Sequence, residues 1–263
     1  MMWHFFLEGV GGLLKNRAIW TPVLVAIGVI VLWEACVRIF DVPLYILPAP
    51  TKILEALAEN RSELAMHTLV TLEEAVIGLV IALAFAMLTA ILMDLSKTFR
   101  HSVYPHLVVT QTVPVMVLAP LFSIWLGFGM APKVLIVIFM CYFPIAISFA
   151  DGLAQVNPKQ VNLLKSFRAS TRQIYTMVKI PAAAPSLFSG LKVAATYCVG
   201  GAIVGEWISS SAGLGYYMLR VKNGYMLDKV FATVVVVVVV SLLLNGAVSL
   251  AKRWLCPHHT VSK

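Results

Sequence analysis

The sequence predicts an all-α integral membrane protein with about six transmembrane helices. Apolar residues make up 60% of the 263 positions and charged residues only 12%. The mean hydropathy of +0.90 lies far above that of soluble proteins. Six apolar stretches have about the 20 residues that a helix needs to cross a hydrocarbon core. No soluble domain interrupts them, so residues 1–263 are predicted to form a single transmembrane domain.

The six predicted spans follow one another along the chain. They cover residues 19–40, 69–93, 104–126, 134–149, 186–208 and 230–250. The fourth is short, and residues 131–133 before it allow one more turn. The sixth contains the valine run 234–240, which is predicted to be helical because backbone exposed to lipid must satisfy its own hydrogen bonds.

The segments around the first span are predicted to lie along the membrane surface. Residues 1–17 lack the features of a cleaved signal, and their aromatic residues beside Glu8 and Lys15 favour a retained interfacial helix, with a frayed apolar tail as the alternative. After the first span, three prolines lead into an amphipathic stretch over 51–64. This stretch is predicted to be a short helix capped by Thr51.

The distribution of basic residues predicts that both termini are cytoplasmic. With the termini inside, the cytoplasmic segments carry twelve Lys and Arg and the outer segments seven, and Lys192 falls within the fifth span. Short cytoplasmic loops retain basic residues, so this orientation is favoured. The net charge of +8 then follows from topology, and no nucleic-acid partner is implied.

Charged residues inside the spans are costly and therefore informative. Glu34 and Arg38 are four residues apart and are predicted to pair on one helix face. Glu73 and Glu74 are predicted to lie one turn inside the second span. Asp94 and Asp151, near cytoplasmic span ends, are expected to engage Lys192 or the basic segment that follows the fourth span.

No catalytic or metal-binding motif is present in the sequence. It has no Walker A motif, no H-E-x-x-H, no C-x-x-C and no G-x-S-x-G. Its four cysteines are scattered singly and are expected to behave as small buried apolar residues. A transport or channel subunit therefore outranks an enzyme, with no catalytic residue, metal or cofactor in this chain.

A polar, basic segment separates the fourth and fifth spans. Residues 161–184 read VNLLKSFRASTRQIYTMVKIPAAA and carry four basic side chains. The segment is predicted to end at the helix-breaking Pro181 and Pro185. A segment with this ordered pattern, here taken as 155–183, is predicted to dock a cytoplasmic partner.

The stretch LKSFRASTRQIYTMVKIPAAAPSLFSGLKVA resembles the cytoplasmic loop signature of permease subunits of bacterial binding-protein-dependent ABC importers. The resemblance continues through ILPAPTKILEAL, TVPVMVLAPLFSIWLGFGMAPKV and GEWISSSAGLGYYM. The chain is most similar to the nitrate, sulfonate and taurine branch, and within it to permeases for pyrimidine precursors of thiamine or for riboflavin. This implies the type I importer permease fold and a bacterial inner-membrane location.

The resemblance implies that the basic segment couples the chain to an ATPase. The implied coupling residues are Asn162, Leu163, Leu164, Lys165, Ser166, Arg168, Ala169, Ser170, Gln173 and Pro181. Asn162 stands where the family has Glu, two leucines replace two alanines, and Arg168 occupies the position of a glycine that permits a tight turn. Arg168 is expected either to force a different backbone or to add a salt bridge to an acidic groove; the alternative is a simple topological charge.

Polar, proline and aromatic residues inside the spans are the candidates for a translocation path. Gln111, Pro114 and Pro120 are predicted to break the third span, and Pro144, after Phe143, the fourth. Aromatic residues predicted to line the path are Tyr142, Phe143 and Tyr197. Kinks and packing without a ligand are the alternative.

An outer gate is predicted where the fifth span ends. Glu206 precedes the glycine-containing loop 209–228, in which Gly213 and Gly215 allow close backbone approach. The resemblance implies that this loop dips toward the pathway as part of an external gate. A structural Glu206, bonded to neighbouring backbone, is the alternative.

The resemblance also implies the partners. Two permease copies would form one pathway, with two ATPase subunits that hold ATP and Mg and a periplasmic or lipid-anchored solute-binding protein. The expected substrate is a small organic solute such as a pyrimidine thiamine precursor, riboflavin, or a sulfonate or taurine-like anion. An ion-gradient-driven secondary transporter is the alternative, although its inverted repeats and paired mid-membrane carboxylates are not evident. A channel or a membrane enzyme ranks lower.

Overall fold

A computed structural model describes the backbone of residues 2–256 and the side chains of residues 20–208 and 210–256. The described backbone is built from helices and connecting turns. The α-helices are α1 (Met2–Ile39), α2 (Pro50–Glu59), α3 (Arg61–Leu95), α4 (Lys97–Thr110), α5 (Val115–Leu126), α6 (Met130–Ala154), α7 (Pro158–Ser166), α8 (Thr171–Ile174), α9 (Ile180–Ser209), α10 (Leu214–Asn223) and α11 (Leu227–Leu255).

Among the described residues, five continuous helical stretches are long and apolar enough to cross a membrane, and α4 with α5 forms a sixth span if this bent pair is counted as one. These helices contain the six predicted spans, so the membrane class is confirmed. Several helices extend beyond the apolar core, because the backbone ladder does not stop where side chains become polar. Because α3 begins at Arg61, eight residues before the predicted apolar span, Glu73 and Glu74 lie about three and a half turns into the helix. Their place one turn inside the apolar span stays a prediction.

The third span is broken where the sequence predicted a break. The helix axes of α4 and α5 differ by 103°, and the turn between them contains Gln111 and Pro114. Pro120 and Pro144, in contrast, lie inside α5 and α6 without interrupting them. Their predicted role as span breakers was wrong, because one missing hydrogen bond can be tolerated in a transmembrane helix that packs against a neighbour.

Pro181 and Pro185 also fail to end a helix. Residues from Thr171 to Ile208 form one continuous candidate span, and a single π-helical turn, Tyr175–Lys179, precedes Pro181. In this turn the amide of Ile180 donates to the carbonyl of Tyr175. The wider turn shifts the hydrogen-bond ladder just before the proline, which accommodates its missing N–H without a break.

The described residues form two compact units. The first contains the chain up to Arg61 together with Val221–Ala232. In it, Glu34 accepts a hydrogen bond from Arg38 at 2.6 Å, which confirms the predicted pair, and it also accepts from the backbone amide of Thr51 at 3.1 Å. Thr51 was wrongly predicted to cap α2, since this helix begins at Pro50 and Glu34 supplies the acceptor near its N-terminus.

Two sequence predictions concern the amino-terminal residues of this unit. The interfacial segment predicted at 1–17 lies outside the residues whose side chains are described. Cys36 is exposed, contrary to the expectation of burial, whereas Cys141, Cys198 and Cys256 are buried. The exposure of Cys36 follows from its position on an apolar helix face that has no protein neighbour over much of its length.

The second unit contains Ser62–Arg220 and the chain from Thr233 onward. Its core lies between α3, α6 and α9, where alanines and Cys141 and Cys198 are fully buried. Gly190 on α9 packs directly on α6: a Cβ built there would lie 2.6 Å from the carbonyl oxygen of Pro144. Small residues at this contact let the two helix backbones approach closely.

Ion pairs tie together the helix ends of this unit. Asp94 pairs with Lys179 at 2.5 Å, and Asp151 pairs with Arg100 at 3.0 Å. Asp94 thus engages the basic segment as predicted. Asp151 does not engage Lys192, which is exposed and has no ion pair among the described residues.

A further pair lies at the opposite ends of these helices. Arg220 donates to Glu63, and this hydrogen bond raises the pKa of the Arg220 guanidinium above its ordinary value. Segments that the basic-residue count assigns to one side of the membrane therefore lie together in space.

Candidate functional site

The basic segment is held by a helix cap centred on Arg168. The helix α7 is capped at its start by Asn157, whose side chain accepts from the amide of Lys159 at 2.9 Å. At its other end, Arg168 has φ +56°. Its amide donates to the carbonyl of Lys165 at 2.9 Å, and the amide of Ala169 donates to that of Leu164 at 3.0 Å. This is a Schellman cap, in which the left-handed residue is usually glycine.

Arg168 therefore does not force a different backbone. It adopts the left-handed conformation that favours glycine, and its side chain is exposed. An l-residue in this conformation costs about 1–2 kcal/mol relative to glycine. The first of the two expectations for Arg168 is thus wrong, and its exposed charge remains available to a partner.

A second cap starts the next helix immediately afterwards. The Ser170 side chain accepts from the amide of Gln173 at 3.3 Å, and the Gln173 side chain accepts from the amide of Ser170 at 2.8 Å. This reciprocal pair is a capping box. Two adjacent caps fix the angle between α7 and the long helical stretch that begins with α8.

The basic segment is anchored to the membrane helices through Asp94. This carboxylate, near the end of α3, accepts from Lys179 at 2.5 Å and from the Tyr175 hydroxyl. Both donors belong to the π-helical turn that precedes Pro181. These two contacts join the segment to the end of α3.

The outer face of the segment is apolar and basic. Most of the predicted coupling residues are exposed, namely Asn162, Leu163, Lys165, Ser166, Arg168, Ser170, Gln173 and Pro181, whereas Leu164 and Ala169 are half-buried. Phe167 is 75% exposed. From Pro158 to Lys179 the chain contains no acidic residue. A groove of about 400 Å³ beside it is lined mostly by apolar side chains, among them Leu163, Leu164, Met177 and Pro181.

A second concave site lies at the hinge between α4 and α5. It has a volume of about 330 Å³, and its lining residues are Thr110, Gln111, Val113, Val115, Phe139, Met140, Phe143, Pro144, Val193 and Tyr197. Gln111, Pro144 and Tyr197 were predicted for the path from sequence, and they meet here although they lie on three different helices or turns. Phe143, predicted with them, also lines this cavity.

Two other predicted path residues lie away from the cavity lining. Pro114 precedes α5 and helps to form the hinge. The Tyr142 hydroxyl donates to the Thr89 hydroxyl at 3.0 Å. Tyr142 thus links α6 to α3 by a hydrogen bond between the two helices.

Glu206 lies beneath the loop that follows α9. Its carboxylate is buried and accepts from the Thr71 hydroxyl at 2.6 Å and from the amide of Gly215 at 2.5 Å. Gly213, with φ +105°, has no room for a Cβ against this carboxylate. The three predicted gate residues Glu206, Gly213 and Gly215 therefore form one cluster, in which Glu206 binds neighbouring backbone as the structural alternative supposed.

No sequence pattern pointed to the other members of this cluster. The Nδ1 atom of His67 accepts from the amide of Gly213 at 3.0 Å, and Thr71 also accepts from the amide of Leu214 at 2.8 Å. His67 and Thr71 are four residues apart on α3, a spacing that places both on one helix face. This spacing is common, so only the fold identifies them as the residues that hold the loop.

Lys133 joins the same region from α6. Its ammonium group contacts Glu74 at 2.6 Å and the Ser210 hydroxyl at 2.8 Å, and the two charged side chains are only 8% and 3% exposed. The sequence placed Lys133 in an outer loop as a topological charge. It is instead a buried structural cation, because its helix begins at Met130 and carries it into the bundle.

This arrangement defines a class of protein: a helical membrane protein whose described helices carry an exposed basic segment near the end of α3 and a loop held by buried hydrogen bonds near its start. Residues 69–258 match the family model for the binding-protein-dependent transport system inner membrane component. The chain belongs to this family, which confirms the inner-membrane location and the resemblance found in the sequence.

Named relatives agree with the predicted branch. A probable ABC transporter permease protein of Haemophilus influenzae is 34% identical over 85% of this chain and 91% of the relative. The formylaminopyrimidine transport permease protein ThiX of Halalkalibacterium halodurans is 32% identical over 90% of this chain and 94% of its own. The taurine transport system permease protein TauC of Escherichia coli is 27% identical over 82% of this chain and 81% of its own.

Solved structures support the predicted fold. An amino acid ABC transporter chain aligns with a TM-score of 0.61 and 17% identity, over 75% of this chain and 96% of that one. The MetNI methionine ABC transporter aligns with a TM-score of 0.58 and 18% identity, over 74% and 94%. The type I importer permease fold is thereby confirmed.

Proposed function

We propose that this chain is the non-catalytic transmembrane subunit of an ATP-driven importer of small organic solutes. Two copies form one pathway, and two cytoplasmic ATPase subunits hold ATP and Mg. A periplasmic or lipid-anchored binding protein delivers the solute. Candidate solutes are a pyrimidine thiamine precursor, riboflavin, or a sulfonate or taurine-like anion, the range suggested by the relatives and the sequence.

The observation that carries this proposal is the outer face of the basic segment. It combines two exposed apolar side chains, Leu163 and Phe167, with the charges of Lys165, Arg168 and Arg172, which have no ion pair among the described residues. No acidic residue lies between Pro158 and Lys179. An exposed patch of this kind fits a protein partner with an apolar groove and an acidic rim. The two helix caps and the Asp94 anchor make the patch rigid, as mechanical coupling requires.

In the proposed mechanism, closure of the two ATPase subunits pushes on this patch, and the π-helical turn with its Asp94 contacts transmits the push to α3 and α9. The alternating states then expose the pathway to opposite sides. ATP can drive this change only through contacts that differ between the two states. The large exposed Phe167 is the side chain best placed to make such a contact.

The test measures ATP hydrolysis by the permease purified with its ATPase subunits, with and without the solute-binding protein. We expect the loaded binding protein to stimulate ATP hydrolysis. We expect Phe167→Ala to abolish this stimulation, although the variant permease still folds and inserts into the membrane. Trp254→Ala is the matched control, because Trp254 is a similarly exposed aromatic residue, at 80%, outside the segment. A complex without ATPase subunits whose solute flux follows an imposed ion gradient would contradict the proposal and favour a secondary transporter.

A further inference from the structure

The hinge cavity between α4 and α5 is lined by uncharged groups. Of its ten lining residues, seven are apolar, and Thr110, Gln111 and Tyr197 carry neutral polar groups; none is an acid, a lysine, an arginine or a histidine. Its volume of about 330 Å³ is at the lower end of the range of about 300–1,000 Å³ typical of small-molecule sites. A cavity of this size suits a solute of one or two rings.

Neutral hydrogen-bonding groups are available in this cavity. The side chains of Gln111 and Tyr197 are exposed and have no hydrogen-bond partner among the described residues. Thr110 donates its hydroxyl proton to the carbonyl of His106 at 2.6 Å, which leaves its oxygen as an acceptor. Pro144 has no N–H, so the carbonyl of Met140 lacks its usual helical donor. The cavity thus offers both donors and acceptors without charge.

Aromatic rings form part of the wall. Phe139 and Phe143 pack edge to face, with ring centroids 5.0 Å apart, and Tyr197 joins them in the lining. Aromatic walls favour flat ligands, because ring faces and edges pack well against another ring. Together with the neutral polar groups, they match a heteroaromatic ring that carries amino or carbonyl substituents.

Counter-charges for an organic anion are absent from the lining. The cations Arg100, Lys133 and Lys179 of this unit are each bound to a carboxylate. Lys192, which has no ion pair among the described residues, precedes the lining residue Val193 but does not line the cavity. A sulfonate would therefore lose its hydration without gaining a paired charge, which is strongly unfavourable.

We infer that this cavity is a passage site for a neutral, flat heteroaromatic solute of the pyrimidine type, and that it excludes sulfonates and other organic anions. Gln111 recognises the polar edge of the ring, and Phe139, Phe143 and Tyr197 pack against it. The inference rests on the proposed transport function and narrows its substrate class.

The test places a reporter thiol beside the cavity. Val193→Cys is introduced in a Cys36→Ser background, since Cys36 is exposed and the other three cysteines are buried. The rate of N-ethylmaleimide labelling is measured on the permease–ATPase complex without the binding protein, so that the permease itself is probed. Formylaminopyrimidine is the neutral probe, and ethanesulfonate at the same concentration is the anionic one.

We expect formylaminopyrimidine to slow the labelling and ethanesulfonate to leave it unchanged. Adding Gln111→Ala should raise the half-protecting concentration about fivefold, the effect of one lost neutral hydrogen bond. Lys192→Gln is the matched control and should leave protection unchanged, since that side chain lies outside the lining.

Three results would overturn the inference: no protection by formylaminopyrimidine, equal protection by ethanesulfonate, or protection that depends on Lys192 and not on Gln111. These results are separable from failure of the proposed function. A complex that couples ATP hydrolysis to the binding protein but shows one of them refutes only the substrate class. A permease that never associates with ATPase subunits refutes the transport function itself.

Discussion

Arg168 is a residue whose conformation opposes its chemical type. It closes a Schellman cap at φ +56°, where glycine is favoured. Both hydrogen bonds of the cap are formed, so they offset the cost of the left-handed conformation. The substitution of arginine for glycine places a positive charge on the exposed surface. At the same scale, Lys133 and Glu74 form a buried pair that sequence reasoning had treated as two unrelated charges.

Replacement of Arg168 by glycine should stabilise the cap locally. We expect Arg168→Gly to slow amide hydrogen exchange at Ala169 about fivefold, because it removes about 1 kcal/mol of left-handed strain. Arg168→Ala is the control, since it removes the charge but keeps the Cβ. If both variants slow exchange equally, the effect belongs to charge and the strain argument is incorrect.

The pair of Lys133 and Glu74 should behave as a buried salt bridge. Lys133→Met alone should destabilise the protein by about 3–5 kcal/mol, because it leaves a buried carboxylate without its cation. The double variant Lys133→Met with Glu74→Leu should recover much of this loss, since both charges are then absent. Thermal unfolding in detergent measures the two midpoints, and a double variant less stable than the single one would contradict this prediction.

At the scale of the element, the loop after α9 is fixed by contacts from three directions. Glu206 binds it from α9, His67 and Thr71 from α3, and Lys133 from α6 through Ser210. An outer gate built on this loop would move together with these helices. The hinge between α4 and α5, in contrast, has its polar residues exposed at the bend.

Gly213→Ala tests whether this fixed loop matters for transport. The substitution should reduce solute uptake strongly, because φ +105° disfavours a side chain and the added Cβ meets the Glu206 carboxylate. Gly129→Ala is the matched control, since Gly129 has extended backbone and open space around it. Uptake by cells carrying each variant is the measurement, with permease amounts in the membrane compared by immunoblot. Uptake that is unchanged in both Gly213→Ala and Glu206→Ala would remove the gate hypothesis.

At the scale of the whole molecule, the charge distribution separates cations that are paired with a carboxylate from cations on the exposed face of the basic segment. Pairs such as Asp94 with Lys179 neutralise cations within the bundle, whereas Lys165, Arg168 and Arg172 remain unpaired on the outer face of the basic segment. Surface charges without an ion pair among the described residues are suited to a partner of opposite charge.

Salt should therefore weaken the proposed ATPase association. We expect the apparent affinity of the permease for its ATPase subunits to fall as ionic strength rises from about 0.05 M to about 0.5 M, because exposed charges are screened over this range. The triple variant Lys165→Gln, Arg168→Gln and Arg172→Gln should bind more weakly at low salt and show a shallower dependence. Sedimentation or pull-down titrations measure both. An identical salt dependence in the triple variant would locate the electrostatic contact elsewhere.

The helical membrane class, the approximate positions of six spans and the exposure of the basic segment between the fourth and fifth spans were predictable from sequence. A long apolar run in lipid must form a helix to satisfy the hydrogen bonds of its backbone. The preference of basic residues for cytoplasmic loops also depends only on short stretches of sequence. The break at Gln111 and Pro114 was predictable for the same reason. Prolines 120, 144, 181 and 185 were misjudged, because whether a missing hydrogen bond breaks a helix depends on neighbouring turns and packing.

The sequence by itself determined that this chain is a helical membrane protein with a basic segment between its fourth and fifth spans, because hydropathy and charge are properties of short stretches. Only the tertiary structure decided which distant residues meet: Lys133 with Glu74, Glu206 with Thr71 and Gly215, and Gln111 with Tyr197 around one cavity. These contacts join positions far apart in the chain. Their existence depends on how the helices pack and turn about their axes, and no local pattern encodes that.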